Sequence, residues 1–149
     1  MLAARCPARR DEVLPFLQQN HLAVVTTVGP VGHSQATVAN AGPYDGQVVF
    51  VSREHTVKIK NVRKNGRCTV TVLRPETGRY VTVEGPAKVQ GWDDTAPEAL
   101  RSLLRNAYQA TGRPPERWTD FDGTMRAERR TVVLISPDRV YGSLERSRP

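Results

Sequence analysis

The chain has 149 residues, 38% of them hydrophobic and 25% charged, with a net charge of +7. That size fits one domain, 1–149, around one hydrophobic core, and no apolar run approaches the roughly 20 residues that span a bilayer. The two cysteines, Cys6 and Cys68, form neither a disulfide framework nor a metal-ligand spacing, while the basic balance points to an anionic partner without naming it.

The N-terminal stretch MLAARCPARRDE carries arginines with no apolar segment after them, which argues against a secretory signal and for a cytoplasmic protein. DEVLPFLQQN (11–20) reads as a short helix with Val13, Leu14, Phe16 and Leu17 free to pack. LAVVTTV (22–28) is a β-branched strand, and GPVG (29–32) a turn. In HSQATVAN (33–40), Gln35, Thr37 and Ala39 alternate with Ser34, Ala36, Val38 and Asn40. PYDG (43–46) is a second turn before QVVFVS (47–52), so the first three strands form an antiparallel meander. RCTVTVL (67–73) and RYVTVEGPAKVQ (79–90) follow around the turn RPETG, with Gly85-Pro86 suggesting a bulge or bend. Helix spacing is clearest at Leu100, Leu103, Leu104 and Ala107, with Thr95 and Glu98 placed for a capping box and Asp93-Asp94 as capping residues. RPPERWTDFDG (113–123) reads as a loop or lid, TMRAERR as a helical turn, and TVVLISPDRVYG as two last strands. The sum is a mainly β, α+β chain: a small antiparallel barrel with peripheral helices.

Catalytic constellations are missing. His21, His33 and His55 lack metal-ligand spacing, and there is no nucleophile elbow, P-loop or dinucleotide fingerprint. If the chain is an enzyme, a bound cofactor supplies the reactive atom.

The segment SREHTVKIKNVRKNGR (52–67) is the informative one. Read as a helix, it puts Ile59 and Val62 on one face, with Gly66 just past the end. Lys60, Arg63 and Lys64 then lie toward the C-terminus, where the helix dipole favours cations. Arg53 and Lys58 lie at the opposite end, where it does not. Two readings stand for them: cations extending into water, or an anion at the helix start, held by Ser52, Thr56, free N–H groups and the charge of Lys58. Gln35 and Thr37 share a strand face and offer hydrogen bonds beside an extended ligand. Arg53 has no assigned role.

Taken in order, FLQQNHLAVVTTV, HSQATVAN, VVFVSREHTVKIKNVRKNGRCTVTV, YVTVEGPAKV and RRTVVLISPDRVYG resemble the pyridoxamine-phosphate-oxidase-like superfamily of FMN-binding split β-barrels. Within it, the resemblance is to the small deazaflavin-dependent enzymes that use coenzyme F420. It implies a homodimer with two cofactor sites at the subunit interface. Lys58 then takes the place of the phosphate-binding cation, with Thr56 and Val57 beside it and Asn61 as the family's Asn on the same helix. Gln35 and Thr37 match strand positions beside the ring system, Val51 and Ser52 the strand end under it, and Tyr80 an aromatic from the other subunit. Two positions depart from the pattern: Thr56 stands where relatives often carry Arg, and Val38 where several are polar.

The resemblance implies a reductase passing a hydride from reduced deazaflavin to a small unsaturated or conjugated acceptor. The loop 112–123, with Trp118 and Phe121, either covers that acceptor or packs in the core. The alternatives are an FMN-dependent oxidoreductase, and a non-catalytic cofactor carrier or nucleic-acid binder. Scarce aromatic residues and the absence of a nucleic-acid-binding motif argue against the last. A membrane partner is not expected either.

Overall fold

The computed structural model describes residues 10–144. Cys6 and the other residues of 1–9 lie outside them. The chain runs α1 (Arg10–Gln19), β1 (Leu22–Val28), β2 (Ser34–Tyr44), β3 (Gln47–Arg53), α2 (Val57–Asn65), β4 (Arg67–Arg74), β5 (Arg79–Gln90), α3 (Pro97–Ala110), α4 (Trp118–Ala127), β6 (Arg130–Ile135) and β7 (Arg139–Ser143). All strand pairs are antiparallel. In the order β4-β1-β2-β3-β6-β5, with β4 pairing back onto β5, six strands close a barrel and β7 adds to the outside of β5. The mainly β barrel read from the pattern is therefore the fold. Among the described residues no helix is long and apolar enough to cross a membrane.

Period-2 burial decides what faces inward. Ala23, Val25 and Thr27 of β1 are buried, and their register partners Ala39, Thr37 and Gln35 share the inward side of β2. Val70, Val83, Phe50 and Ile135 fill the interior with Phe16 and Leu17 from α1. Helix α2 plugs one end with Ile59 and Val62, 0% and 1% exposed. Each such side chain contributes about 1.5–3 kcal/mol by its burial. A second apolar layer lies outside the barrel, where Leu100, Leu104, Phe121 and Met125 cover Val49 and Val132.

The two sheets of the barrel part between β2 and β3. Their ladder runs from Tyr44↔Gln47 to Ala41↔Phe50. Beyond it, β2 continues on β1 and β3 on β6, as far as Arg53↔Arg130. Strand β5 joins the sheets on the far side, pairing with β4 and β7 in its first part and with β6 in its last. The crossover needs Gly85, where a Cβ would stand 1.9 Å from the Ser136 carbonyl oxygen. Gly85-Pro86, where a bulge or bend is expected, is where the continuous strand β5 passes from β4 and β7 to β6.

Other expectations change. Strand β2 runs through Gly42-Pro43 to Tyr44, and the turn is the pair Asp45-Gly46 with φ of 49° and 75°. Both central residues are left-handed, which is the hairpin geometry suited to strand twist. The capping box at Thr95 and Glu98 is absent: α3 starts at Pro97, favoured in the first turn because its missing N–H is not needed there. Asp94 instead accepts from the Gly91 N–H, Thr95 Oγ1 and Arg63, and Asp93 from Arg129. Residues 113–123 are not all loop, because α4 begins at Trp118. The ring of Phe121 meets Trp118 and Tyr108 edge-on at 5.2 and 4.7 Å, so these aromatics are core packing.

Candidate functional site

Where the sheets part, a cavity of about 250 Å³ opens between the start of α2 and the end of α3. Val38, Ala39 and Asn40 of β2 form one side, Val51 and Ser52 of β3 the other. Lys58, Tyr108, Thr111, Arg113 and Arg130 complete the wall, three cations with no carboxylate. A larger cavity of about 690 Å³ lies between α1 and the β2–β3 hairpin, but no Lys or Arg lines it. Two other cavities carry arginines beside carboxylates, Arg117 with Glu116 and Asp120 in one, Arg101 and Arg126 with Glu98 and Asp122 in the other. Of these four, the cleft at Lys58 is the one whose cations meet no carboxylate in the lining.

The end of α3 reaches this wall because Gly42 lets it sit down on β2; a Cβ there would stand 1.9 Å from the Ala110 carbonyl oxygen. On the other side, Thr56 precedes α2 without capping it through its side chain. Its hydroxyl donates to the Arg53 carbonyl at 2.9 Å and accepts from Ser52 Oγ at 3.1 Å. The first-turn N–H groups of α2 consequently have no side-chain partner from Thr56, and such groups favour an anion.

Lys58 is half-buried and has no carboxylate partner among the described residues. Burial, and then the charge of Arg130, push its pKa below 10.5. Burial raises the Tyr108 hydroxyl, keeping it a donor, although Arg130 and Arg113 pull the other way. An anion in the cavity would answer Lys58 and Arg113, which pair with no carboxylate among the described residues, and would share Arg130, whose Nε already holds Glu128. The basic residues at the far end of α2 differ: Arg63 is bonded to Glu54 and Asp94 at 2.8 and 2.7 Å and needs no ligand.

The family profile described as pyridoxamine 5'-phosphate oxidase matches residues 10–143. The chain belongs to that family. No curated protein matched it. Among solved structures it is similar to the conserved hypothetical protein Rv2991 from Mycobacterium tuberculosis, with TM-score 0.73, 20% identity, and 100% of this chain and 97% of that one covered. It is also similar to an F420 reductase, with TM-score 0.63, 16% identity, and coverage of 85% and 93%. A pyridoxamine 5'-phosphate oxidase-related, FMN binding protein from Nostoc punctiforme PCC 73102 gives TM-score 0.62 and 14% identity, with 88% and 81% covered. At these identities the likeness shows the fold.

In this member of the pyridoxamine 5'-phosphate oxidase family, the cavity gathers Val51, Ser52 and Lys58 of the residues expected from the sequence. Thr56 adjoins it through Ser52, and Val57, 55% exposed, stands beside it at the start of α2. Gln35, Thr37 and Asn61 do not line it. Buried Asn61 donates to Thr27 Oγ1 at 3.1 Å, and Thr27 Oγ1 donates to Gln35 Oε1 at 3.4 Å, a chain that ties α2 to the barrel. The Thr37 hydroxyl is buried without a partner. Tyr80 sits on β5, registered with Leu73 and Ser143, on the side of the barrel away from the parting. Sequence reasoning missed Asn40, Tyr108, Thr111, Arg113 and Arg130. Arg113 and Arg130 carried a signal as cations outside the helix, but only the fold brings them to Lys58.

Proposed function

We propose that the chain is a cofactor-dependent oxidoreductase whose Lys58 cleft grips the phosphate of a flavin-type cofactor, with coenzyme F420 as the first candidate and FMN as the second. The observation that carries this reading is Lys58, half-buried at an uncapped helix start, facing a carboxylate-free cavity with Arg113 and Arg130. Ser52, Thr56 and the first amides of α2 would hold the phosphoryl oxygens, and Lys58 would supply the balancing charge. A bound deazaflavin supplies the hydride for a small unsaturated or conjugated acceptor. The chain's own part is to fix orientation and exclude water, with Val38 and Val51 as an apolar edge to the cleft. The setting in this reading is the cytoplasm.

The cavity of about 250 Å³ is smaller than the roughly 300–1,000 Å³ of a complete ligand pocket. This supports a homodimer, in which a second copy completes the site and brings Tyr80. The outer face of β1 and β2 supports it too: Leu22, Val28 and Val38 are 40%, 47% and 71% exposed, and no outward residue of these strands is charged. Val38 belongs both to this face and to the cavity.

Parallel fluorescence titrations with coenzyme F420 and FMN decide the cofactor. Lys58→Ala should weaken the tighter of the two by about 1.5–3 kcal/mol, the range for a charged hydrogen bond. Equal affinity in the variant overturns the phosphate assignment.

A further inference from the structure

Arg53 and Arg130 stand directly opposite one another in the β3–β6 ladder. Like charges in that position destabilise an antiparallel pair, so their retention needs a reason. Part of it is Glu128, which lies between them: Arg130 Nε donates to Oε2 at 2.7 Å and Arg53 Nη2 to Oε1 at 3.4 Å. One carboxylate against two guanidinium groups leaves a positive charge over. Among the described residues the terminal nitrogens of Arg130 make no hydrogen bond, and its side chain lines the cavity of Lys58. The next residue, Thr131, donates to the Ser52 carbonyl at 3.2 Å and pins the start of β6 beside the strand end that carries Ser52. Lys58 approaches from the helix and Arg130 from the strand, two cations on two walls of one small space.

We propose that Arg130 is a second anion ligand of the cleft, gripping the same phosphoryl group as Lys58, and that Arg53 is a positioning residue acting through Glu128. This rests on the phosphate reading given above. With Nε engaged by Glu128, the guanidinium presents its two terminal nitrogens as a fork matched to phosphoryl oxygens. Arg53 holds the other oxygen of Glu128 and so keeps the carboxylate from turning into the cleft, where it would neutralise the site.

The test is a set of equilibrium titrations of the full chain with inorganic phosphate, FMN and coenzyme F420 at one fixed low salt concentration. R130Q should weaken each ligand about 10- to 100-fold, and R130K should recover part of the loss. R53Q should cost about two- to five-fold in the wild-type background and nothing in R130Q, since its effect passes through Arg130. An R130Q protein that binds the cofactor like wild type, while Lys58→Ala loses it, overturns the Arg130 assignment and leaves the proposed function intact. Phosphate binding that depends on Arg130, with no affinity for either cofactor, overturns the proposed function and leaves Arg130 standing. If R53Q costs the same in both backgrounds, Arg53 is not a positioning residue. Should R130Q not fold, R130K carries the test, and wild-type affinity in it overturns the fork.

Discussion

At Lys58, burial and the charge of Arg130 both act against the ammonium, and the pH dependence follows from that sign. A lysine whose folded pKa lies below its unfolded value binds fewer protons folded than unfolded between the two values. It therefore costs stability at lower pH, and the cost is relieved as pH rises through the folded value toward 10.5. Lys58→Met should accordingly raise the melting temperature of the cofactor-free protein at pH 7 while abolishing protection by phosphate; a melting temperature below wild type contradicts it. Anion affinity in the wild type should fall as pH climbs toward 10.5, and that fall should vanish in the Met variant. Lys58 was legible in the sequence because a cation at a helix start conflicts with the dipole. Arg130 was not, because its conflict is with Arg53 across a ladder whose register appears only once β6 has crossed to β3. Asn61 shows the opposite case: a position singled out as a cofactor contact lies buried and bonded to Thr27.

Among the elements, α2 and α3 define the cleft by two different means. Helix α2 is anchored by what it buries, and Ile59→Ala should cost about 2–5 kcal/mol in denaturant unfolding because the barrel end cannot collapse onto the space. Helix α3 is anchored by what its neighbour lacks. Gly42→Ala places a Cβ against the Ala110 carbonyl and should cost about 1–3 kcal/mol, with weaker cofactor binding as the end of α3 lifts and carries Tyr108 and Thr111 away. Unchanged unfolding midpoints would show that α3 is not seated through this contact. Strands β1, β3, β4 and β5 were legible to within a residue, since β-branched runs bounded by Gly, Pro and Asp admit few alternatives. Strand β2, by contrast, continues four residues past its expected end because Gly42 and Pro43 pair with β3. Helix α4 was not legible, because Asp120, Asp122 and Gly123 read locally as turn chemistry. What overrides them is tertiary: Phe121 and Met125 bury against α3, and Arg105 pairs with Asp122.

For the whole molecule, the uncharged outer face of β1 and β2 makes assembly measurable. Thr26→Arg, in the middle of that face and away from the cavity, should convert a dimer to monomers in sedimentation velocity and weaken cofactor binding with it. A wild-type monomer at micromolar concentration with full cofactor affinity removes the homodimer from the proposed function. The parting of β2 from β3 has one more consequence. A barrel closed all round opens only by breaking a ladder, but this one has a seam already free of rungs for more than half the length of β2. Openings of low free energy should concentrate there, so amide exchange in residues 36–40 and 51–53 should be faster than in β4 and β5. A ligand lodged between Ser52 and Asn40 would act as the missing rung and slow that exchange far beyond the atoms it touches, making the bound molecule the stiffer one.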